Sequence, residues 1–204
     1  KKLVKINFIN PRDFATDKHK TVDDKPYGGG GGMVMKVDTL VKALESIKPR
    51  LYTILLSASG KKYDQRKAQS FAKKKNIAII CGHYEGVDAR VEKYVNEVIS
   101  IGDFVLTGGE IAALAVIDSV TRLLPGVISE GSAETESFTV SKGNKGNQVD
   151  LGYLEYPQYT RPEEFRGLKI PKILLTGNHR KIETWRQKEA LKRTKKFRPD
   201  LIKK

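Results

Sequence analysis

Short apolar runs recur along the chain and alternate with segments that have a helical pattern. Four of these runs contain no alternation with polar residues: 51–56, 77–81, 98–101 and 172–175. Continuous apolar runs of this length are typical of strands that are covered on both faces in a parallel sheet. Residues 37–48 and 63–75 have the pattern of amphipathic helices. The alternation therefore predicts an α/β fold with a parallel sheet.

The pattern also divides the chain into domains. Residues 109–126 are apolar nearly all round, which predicts a helix buried in the core or against another subunit. From 129 to 156 the sequence becomes rich in Ser, Gly, Asn and Lys without periodicity, and this composition predicts a flexible interdomain linker. A helix is expected at 178–197, with Asn178 as its N-cap. We therefore predict a large domain over 1–128 and a small C-terminal domain over 157–204.

The charge is concentrated at the C-terminal end. The chain carries a formal net charge of +14 over 204 residues, and residues 181–204 hold ten Lys and Arg against three Asp and Glu. Trp185 and Phe197 are interleaved with these cations, a combination that favours nucleic acid as the partner. A solvated basic tail that keeps the protein soluble fits the charge equally well.

The composition also indicates the class of protein and its cellular compartment. The chain has 39% apolar residues and no apolar run near 18 residues, which predicts a globular core and no membrane span. Its one cysteine, Cys81, cannot form an internal disulfide, which agrees with a reducing, cytoplasmic setting. Because the sequence starts at Lys1 and soon enters a strand-like run, we expect that an upstream segment is missing.

Five consecutive glycines stand in "KPYGGGGGMVMK", at Gly28–Gly32. No G-K-[ST] follows for a phosphate-binding loop, and no strand-to-helix context supports a dinucleotide fingerprint. A slack linker is also a poor interpretation, because order-promoting residues flank the run on both sides. The remaining interpretation is a loop that ligand or neighbouring backbone approaches closely.

Three more glycine-bearing loops follow or interrupt buried strands. They are "LSASGKK" (56–62), "CGHYEGVD" (81–88) and "SIGDFVLTGGE" (100–110). In an open α/β sheet, the loops at the carboxyl ends of the strands converge on the ligand crevice. Each loop alone has the sequence of an ordinary tight turn, but three together favour a small-molecule site.

Together with other strings, these loops resemble the bacterial tRNA (guanine-N1)-methyltransferases, called TrmD, of the knotted SPOUT class. The resemblance covers the whole chain and rests on long ordered strings. These are "NPRDFATDKHKTVDDKPYGGGGGMVM", "CGHYEGVDARV", "SIGDFVLTGGE", "YPQYTRP", "LLTGNH" and "RTKKFRPDL". Such strings are far more specific than a lone glycine pattern.

The resemblance implies a parallel sheet with a deep trefoil knot, a rare exception to unknotted chain connections, and a small, mostly helical C-terminal domain. S-adenosylmethionine would lie in the knot, held largely by backbone groups of the three loops. Family members are homodimers whose site lies across the subunit interface. The positions that correspond to cofactor contacts are Leu56, Ala58, Gly60, Gly82, Tyr84, Glu85, Ile101, Gly102, Phe104, Leu106, Gly108 and Gly109.

The resemblance also implies the acceptor, which is N1 of guanosine 37 of tRNA, next to the anticodon. Guanine N1 must lose a proton before it attacks a methyl group, so the enzyme needs a base and a cation for the charge that develops on O6. Arg122 matches the family's arginine, and Glu136 stands where the family usually has aspartate, with Glu134 as the second candidate. A misplacement of about 1 Å can cost on the order of 10²-fold in rate, so the longer glutamate is a notable departure.

Two further assignments follow from the resemblance. Glu85 is a candidate contact for Mg²⁺, on which the family's transfer step depends. The C-terminal domain would bind the anticodon stem-loop of tRNA. The expected phosphate contacts are Lys192, Arg193, Lys195, Lys196 and Arg198.

Several departures from the family leave other functions open. Gly31 and Ala58 replace prolines, residues 141–148 lengthen the linker, and family members carry another strand and helix before the position of Lys1. One alternative is a catalytically impaired RNA-binding relative. The other is a SPOUT methyltransferase that acts on another RNA.

Overall fold

The computed structural model of the chain describes residues 3–129, 136–139, 141–142, 148–149 and 152–202. Contacts divide the chain into two compact units, residues 1–128 and 129–204. No helix among the described residues is long and apolar enough to cross a membrane.

The first unit contains an α/β arrangement. In chain order its elements are a 3₁₀ helix (Pro11–Phe14), β1 (Asp23–Asp24), β2 (Val34–Met35), α1 (Val37–Glu45), β3 (Tyr52–Lys62), α2 (Gln65–Ala72), β4 (Ile77–Cys81), a 3₁₀ helix (Ala89–Tyr94), β5 (Glu97–Ser100) and α3 (Glu110–Thr121). β3, β4 and β5 form a parallel sheet with β3 in the middle, and β1 pairs with β2 in a separate antiparallel ribbon. The predicted α/β class with a parallel sheet is confirmed.

Alternate residues of the central strand face two different apolar layers. Ile54 and Leu56 pack in a cluster that includes Phe71 of α2 and Val116 of α3. Leu55, between them, belongs to a second cluster on the other face of the sheet, together with residues of β2, α1, β4 and the 3₁₀ helix at 89–94. Because both faces of β3 are covered, its inner residues are apolar without alternation.

The second half of β3 departs from the prediction of a loop at 56–62. Leu56 and Lys61 both pair with Ile99 of β5, so residues 57–60 form a bulge within a strand that continues to Lys62. A bulge places extra residues against one partner residue and bends the strand locally. The prediction of a loop was therefore wrong for residues 56, 61 and 62, which pair with β5. Residues 57–60 lie outside the regular pairing.

A polar network lies at the amino-terminal edge of the sheet. Tyr52 Oη donates a hydrogen bond to Glu97 Oε1, and Lys67 Nζ lies 2.8 Å from Glu97 Oε2. Burial opposes ionisation of Glu97, but the hydrogen bonds from Lys67 and Tyr52 outweigh it and lower the pKa of this carboxyl. Burial and the contact with Glu97 also raise the pKa of Tyr52 to about 12.

The second unit is built around one long helix. Its described elements are β6 (Ser141–Lys142), β7 (Gln148–Val149), β8 (Glu164–Phe165), β9 (Leu168–Lys169), a 3₁₀ helix (Lys172–Leu175), α4 (His179–Phe197) and a 3₁₀ helix (Pro199–Leu201). The Asn178 side chain accepts a hydrogen bond from Lys181 N and caps α4, as the sequence predicts. Thr194, fully buried, accepts a hydrogen bond from Leu154 N and fastens the preceding segment to this helix.

The apolar run at 172–175 was wrongly predicted to be a strand. It forms a 3₁₀ helix that follows Pro171. Proline has no N–H to donate to a ladder, and its fixed φ suits the start of a helical turn. A run of four apolar residues does not by itself distinguish a strand from a helical segment.

The predicted linker at 129–156 falls partly outside the described residues. Among those that are described, Phe138 N donates to Tyr153 O and Glu155 N donates to Ser137 Oγ. These bonds join two described pieces of the segment within the second unit. The roles predicted for the two domains and for the linker stay predictions.

We predict that Glu97→Gln lowers the free energy of unfolding by about 1–2 kcal/mol at neutral pH, because charge-assisted hydrogen bonds to a partly buried carboxylate are lost. A carboxyl with a lowered pKa in the folded state stabilises the fold above its ordinary pKa near 4.5, and this contribution is lost as the pH falls below that value. Urea unfolding from pH 7 to pH 3 should therefore show the two proteins converging in acid. A constant difference across this range would contradict the assignment.

Candidate active site

The candidate site is formed by loops at the carboxyl edge of the parallel sheet. Since β3, β4 and β5 run in the same direction, the segments that follow them leave the sheet at one edge. The segments are the bulge at 57–60 with the residues 61–62 that follow it, the loop at 81–88, and the loop at 100–110.

Backbone groups join the loop at 81–88 directly to the loop at 100–110. Gly109 N donates a 2.8 Å hydrogen bond to Gly82 O, and an antiparallel bridge links His83 with Gly108. A Cβ placed on Gly109 would lie 2.7 Å from the Cα of Cys81. A side chain at this position would collide with backbone, so glycine is required for the two loops to meet.

The bulge approaches β5 in the same way. A Cβ on Gly60 would lie 2.6 Å from the Cα of Ile99, again a collision with backbone. Tyr63 N donates a 2.7 Å hydrogen bond to Ser100 O and fixes the return of the bulge. Three loops are thereby joined through main-chain contacts at one edge of the sheet.

The five-glycine loop reaches the same edge. A Cβ on Gly32 would lie 2.6 Å from Cγ of Glu85, and φ at Gly32 is +77°. Glu85 N donates to Met33 O, and Met35 N donates to Gly86 O. Gly32 is approached closely, but by the Glu85 side chain and not by the ligand or neighbouring backbone that the sequence predicts. Gly28 and Gly29 have open space around them and adopt positive φ.

A polar pair that the sequence analysis missed stands beside these contacts. His83 Nε2 lies 2.6 Å from Glu110 Oε1, and both side chains are about half exposed, at 49% and 54%. Glu110 is the first residue of α3, where a carboxylate also interacts favourably with the helix dipole. The acidic residue at the start of a predicted helix was the signal in the sequence.

The predicted cofactor-binding residues differ in what they present to this edge. The Leu56 side chain is buried in the core, so only its backbone is available. Tyr84 is 63% exposed and has a φ of +56°, which is uncommon for a bulky residue and occurs often at functional sites. The ring of Phe104 lies over Gly102, where a Cβ would come within 2.6 Å of it.

The two predicted catalytic residues belong to different units. Arg122 ends α3, and its N–H donates to Asp118 O. Glu110 starts the same helix, so twelve residues, or about 18 Å of helix, separate Arg122 from the glycine loops. Glu136 is half-buried in the second unit. Glu134 lies outside the described residues.

Comparison with known proteins shows the family of the chain. A model of the family described as tRNA (guanine-1)-methyltransferase TrmD matches residues 1–204. The chain belongs to this family. Proteins from Carboxydothermus hydrogenoformans and Dictyoglomus turgidum are 53% and 52% identical over 206 residues, which cover 100% of this chain and 77% and 80% of theirs. One from Geobacillus kaustophilus is 50% identical over 207 residues, covering 99% of this chain and 80% of its own. All three are named tRNA (guanine-N(1)-)-methyltransferase.

The predicted RNA contacts of this TrmD family member lie on or next to the last turns of α4. Lys192, Lys195 and Lys196 are exposed, whereas Arg193 is half-buried. Arg198 donates two hydrogen bonds to Asp200, at 2.9 and 2.7 Å, and so carries a partly neutralised charge. Lys196 Nζ lies 5.0 Å from the centre of the exposed Phe197 ring. Arg198 is exposed as well, and Lys192 Nζ lies 3.9 Å from Glu189 Oε1.

The described residues offer neither a metal cluster nor a reactive thiol at the loops. No three His, Cys, Asp or Glu side chains come together as a metal-binding group within the described ranges. Burial, and then the nearby charge of Glu110, raise the pKa of the Cys81 thiol to about 11. Cys81 is thus protonated at neutral pH and unsuited to nucleophilic chemistry.

We predict that Gly109→Ala separates the loops at 81–88 and 100–110, because the new Cβ collides with the backbone of Cys81. The substitution should lower the free energy of unfolding by about 1–3 kcal/mol and abolish binding of S-adenosylmethionine. Urea unfolding and titration calorimetry measure the two effects.

Gly31→Ala is the matched control, since Gly31 has open space and no positive φ. Its free energy of unfolding should stay within about 0.5 kcal/mol of the wild type. Equal effects of the two substitutions would show that close approach at Gly109 is not what joins the loops.

Proposed function

We propose that this protein transfers a methyl group from S-adenosylmethionine to N1 of guanosine 37 of tRNA, giving N1-methylguanosine. Membership of the TrmD family over all 204 residues carries the proposal. The shared name of the relatives, tRNA (guanine-N(1)-)-methyltransferase, gives the reaction. The glycine loops at one sheet edge support a place for the small-molecule substrate.

The loops fit a cofactor held by main-chain groups. Gly60 and Gly109 allow backbone to meet backbone without a side chain in between, which suits a cofactor held by main-chain groups. Exposed Tyr84 and Phe104 add apolar rings to the same loops. When bound, S-adenosylmethionine supplies an electrophilic methyl group on its sulfonium. The family resemblance supports a trefoil knot around this cofactor.

The catalytic roles fall to Glu136 and Arg122. A carboxylate at Glu136 accepts the N1 proton of guanine and so makes the ring nitrogen nucleophilic. The guanidinium of Arg122 stabilises the negative charge that develops on O6. Glutamate supplies the same acid–base group as the family's aspartate on a side chain that is longer by one methylene.

We further propose that the active enzyme is a homodimer in the cytoplasm. α3 is apolar on more than its core side: Ile111 and Leu114 are 61% and 59% exposed, whereas Ala112, Ala113 and Val116 are buried. Exposed apolar side chains of this size support a protein interface. The distance of about 18 Å between Arg122 and the start of α3 supports a site to which a second chain contributes.

The second unit supports binding of the tRNA anticodon stem-loop. Residues 129–204 hold 17 Lys and Arg against 10 Asp and Glu, a net charge of +7. The exposed lysines near the end of α4 would contact phosphates. For Mg²⁺, Glu85 is the proposed contact, and the remaining ligands would be water and substrate.

Methyl transfer to defined tRNAs tests this function. The protein is incubated with labelled S-adenosylmethionine and an unmodified tRNA with guanosine at position 37, or the same tRNA with adenosine there. Nucleoside analysis should find N1-methylguanosine with the first tRNA only. Cofactor binding without any methyl transfer would instead support the catalytically impaired RNA-binding relative, and methylation at another position would support a different RNA target.

Glu136→Gln should lower kcat by about 10²- to 10⁴-fold, because general-base catalysis is removed while the size of the side chain is kept. Binding of S-adenosylmethionine should not change. Glu136→Asp is the matched comparison: it keeps a carboxylate but moves it by about one methylene, so it should lose less activity than Glu136→Gln. Unchanged kcat in Glu136→Gln would exclude this residue as the base.

A further inference from the structure

The β8–β9 hairpin presents two apolar side chains that stay largely exposed. Phe165 is 59% exposed and Leu168 is 76% exposed. The two residues pair directly across the hairpin, so their side chains lie on the same face. Glu164 and Lys169 pair on the opposite face, where Lys169 Nζ lies 3.3 Å from Glu164 Oε2.

The turn of this hairpin places a cation over the Phe165 ring. Arg166 and Gly167 connect the strands, and their φ values are +49° and +80°. Positive φ at both central residues is typical of a type I′ turn, for which Asn-Gly is the favoured pair. Arginine is uncommon at a positive φ and is strained there. The Arg166 guanidinium carbon lies 5.2 Å from the centre of the Phe165 ring.

We propose that this hairpin is a tRNA contact in which an unpaired base stacks on the face formed by Phe165 and Leu168, while Arg166 contacts a neighbouring phosphate. This inference rests on the proposed function, because it takes tRNA as the ligand. Unpaired RNA bases are commonly bound by stacking on aromatic rings and arginine planes. The site is separate from the cations of α4 that the sequence predicts as phosphate contacts.

Size and charge favour RNA over a protein partner. Two adjacent side chains match the area of one base, whereas a stable protein interface buries about 800 Å² on each partner. The hairpin also belongs to a unit with a net charge of +7, which attracts a polyanion. Arg166 adds a positive charge beside the aromatic ring on which the base would stack.

The test compares binding of two RNAs by the 204-residue chain. One is the unmodified tRNA, and the other is a fully paired RNA duplex without unpaired bases. Phe165→Ala should weaken tRNA binding by about 5- to 100-fold, since stacking on a ring is lost, and leave duplex binding unchanged. Phe165→Trp should retain tRNA affinity. Equal weakening for both RNAs, or no weakening for tRNA, would overturn the proposal.

Arg166→Asn separates the RNA role from a structural role. Asn-Gly suits the turn, so the melting temperature should stay the same or rise, whereas tRNA affinity should fall by about 3- to 10-fold. The slope of log Kd against log salt concentration should decrease in magnitude by about 0.7–0.9, as for the loss of one phosphate contact. Lys75→Asn, which removes one exposed charge from the first unit, is the matched control and should leave tRNA affinity within about twofold. A lower melting temperature with unchanged affinity would show that Arg166 only supports the fold.

Oligomeric state and methyl transfer complete the test. If Phe165→Ala changes the oligomeric state, the apolar face contacts protein and the proposal is wrong. Methyl transfer by this variant should show a raised KM for tRNA and an unchanged kcat. If the wild type binds tRNA through the hairpin but transfers no methyl group, the hairpin proposal stands and the proposed function fails. If the wild type does not bind tRNA, both fail.

Discussion

The structure of the first unit depends on backbone meeting backbone at the carboxyl ends of three parallel strands. Gly60 lies against Ile99, and Gly109 lies against Cys81, at separations that leave no room for a Cβ. These two contacts bring three loops to one edge of the sheet. Gly32 then joins the five-glycine loop to the same edge through Glu85. The candidate cofactor site thus depends on glycines at the positions where two backbone segments meet. The apolar sheet, covered on both faces, supports that edge.

The same geometry limits what one chain supplies. α3 begins at these loops with Glu110 and ends at Arg122, about 18 Å further on. Its core side is made of small residues that allow close packing on the sheet, and Ile111 and Leu114 remain exposed. A helix of this kind joins the proposed cofactor loops at one end to a proposed catalytic cation at the other. In our account, association of two chains through exposed apolar residues brings the separate parts of the site together.

Features set by local sequence could be predicted, and features set by tertiary register could not. The strand at 77–81 and the start of α4 after Asn178 agree with prediction, because apolar run length and a capping side chain act over a few residues. The bulge at 57–60 depends on pairing with Ile99, far along the chain. The pair His83 and Glu110 joins residues 27 positions apart. The five glycines predicted close approach by ligand or backbone, whereas the fold brings the Glu85 side chain against Gly32.

Mixing two inactive variants tests most directly the claim that two chains build one site. The Gly109→Ala variant should be unable to bind the cofactor, and the Glu136→Gln variant lacks the proposed base. If each site takes its loops from one chain and its base from the other, unfolding and refolding the variants together should restore about one quarter of wild-type methyl transfer. As control, Gly109→Ala mixed with the double variant should stay inactive. No recovery in the first mixture, although mixed dimers form, would contradict the account and place the complete site within a single chain.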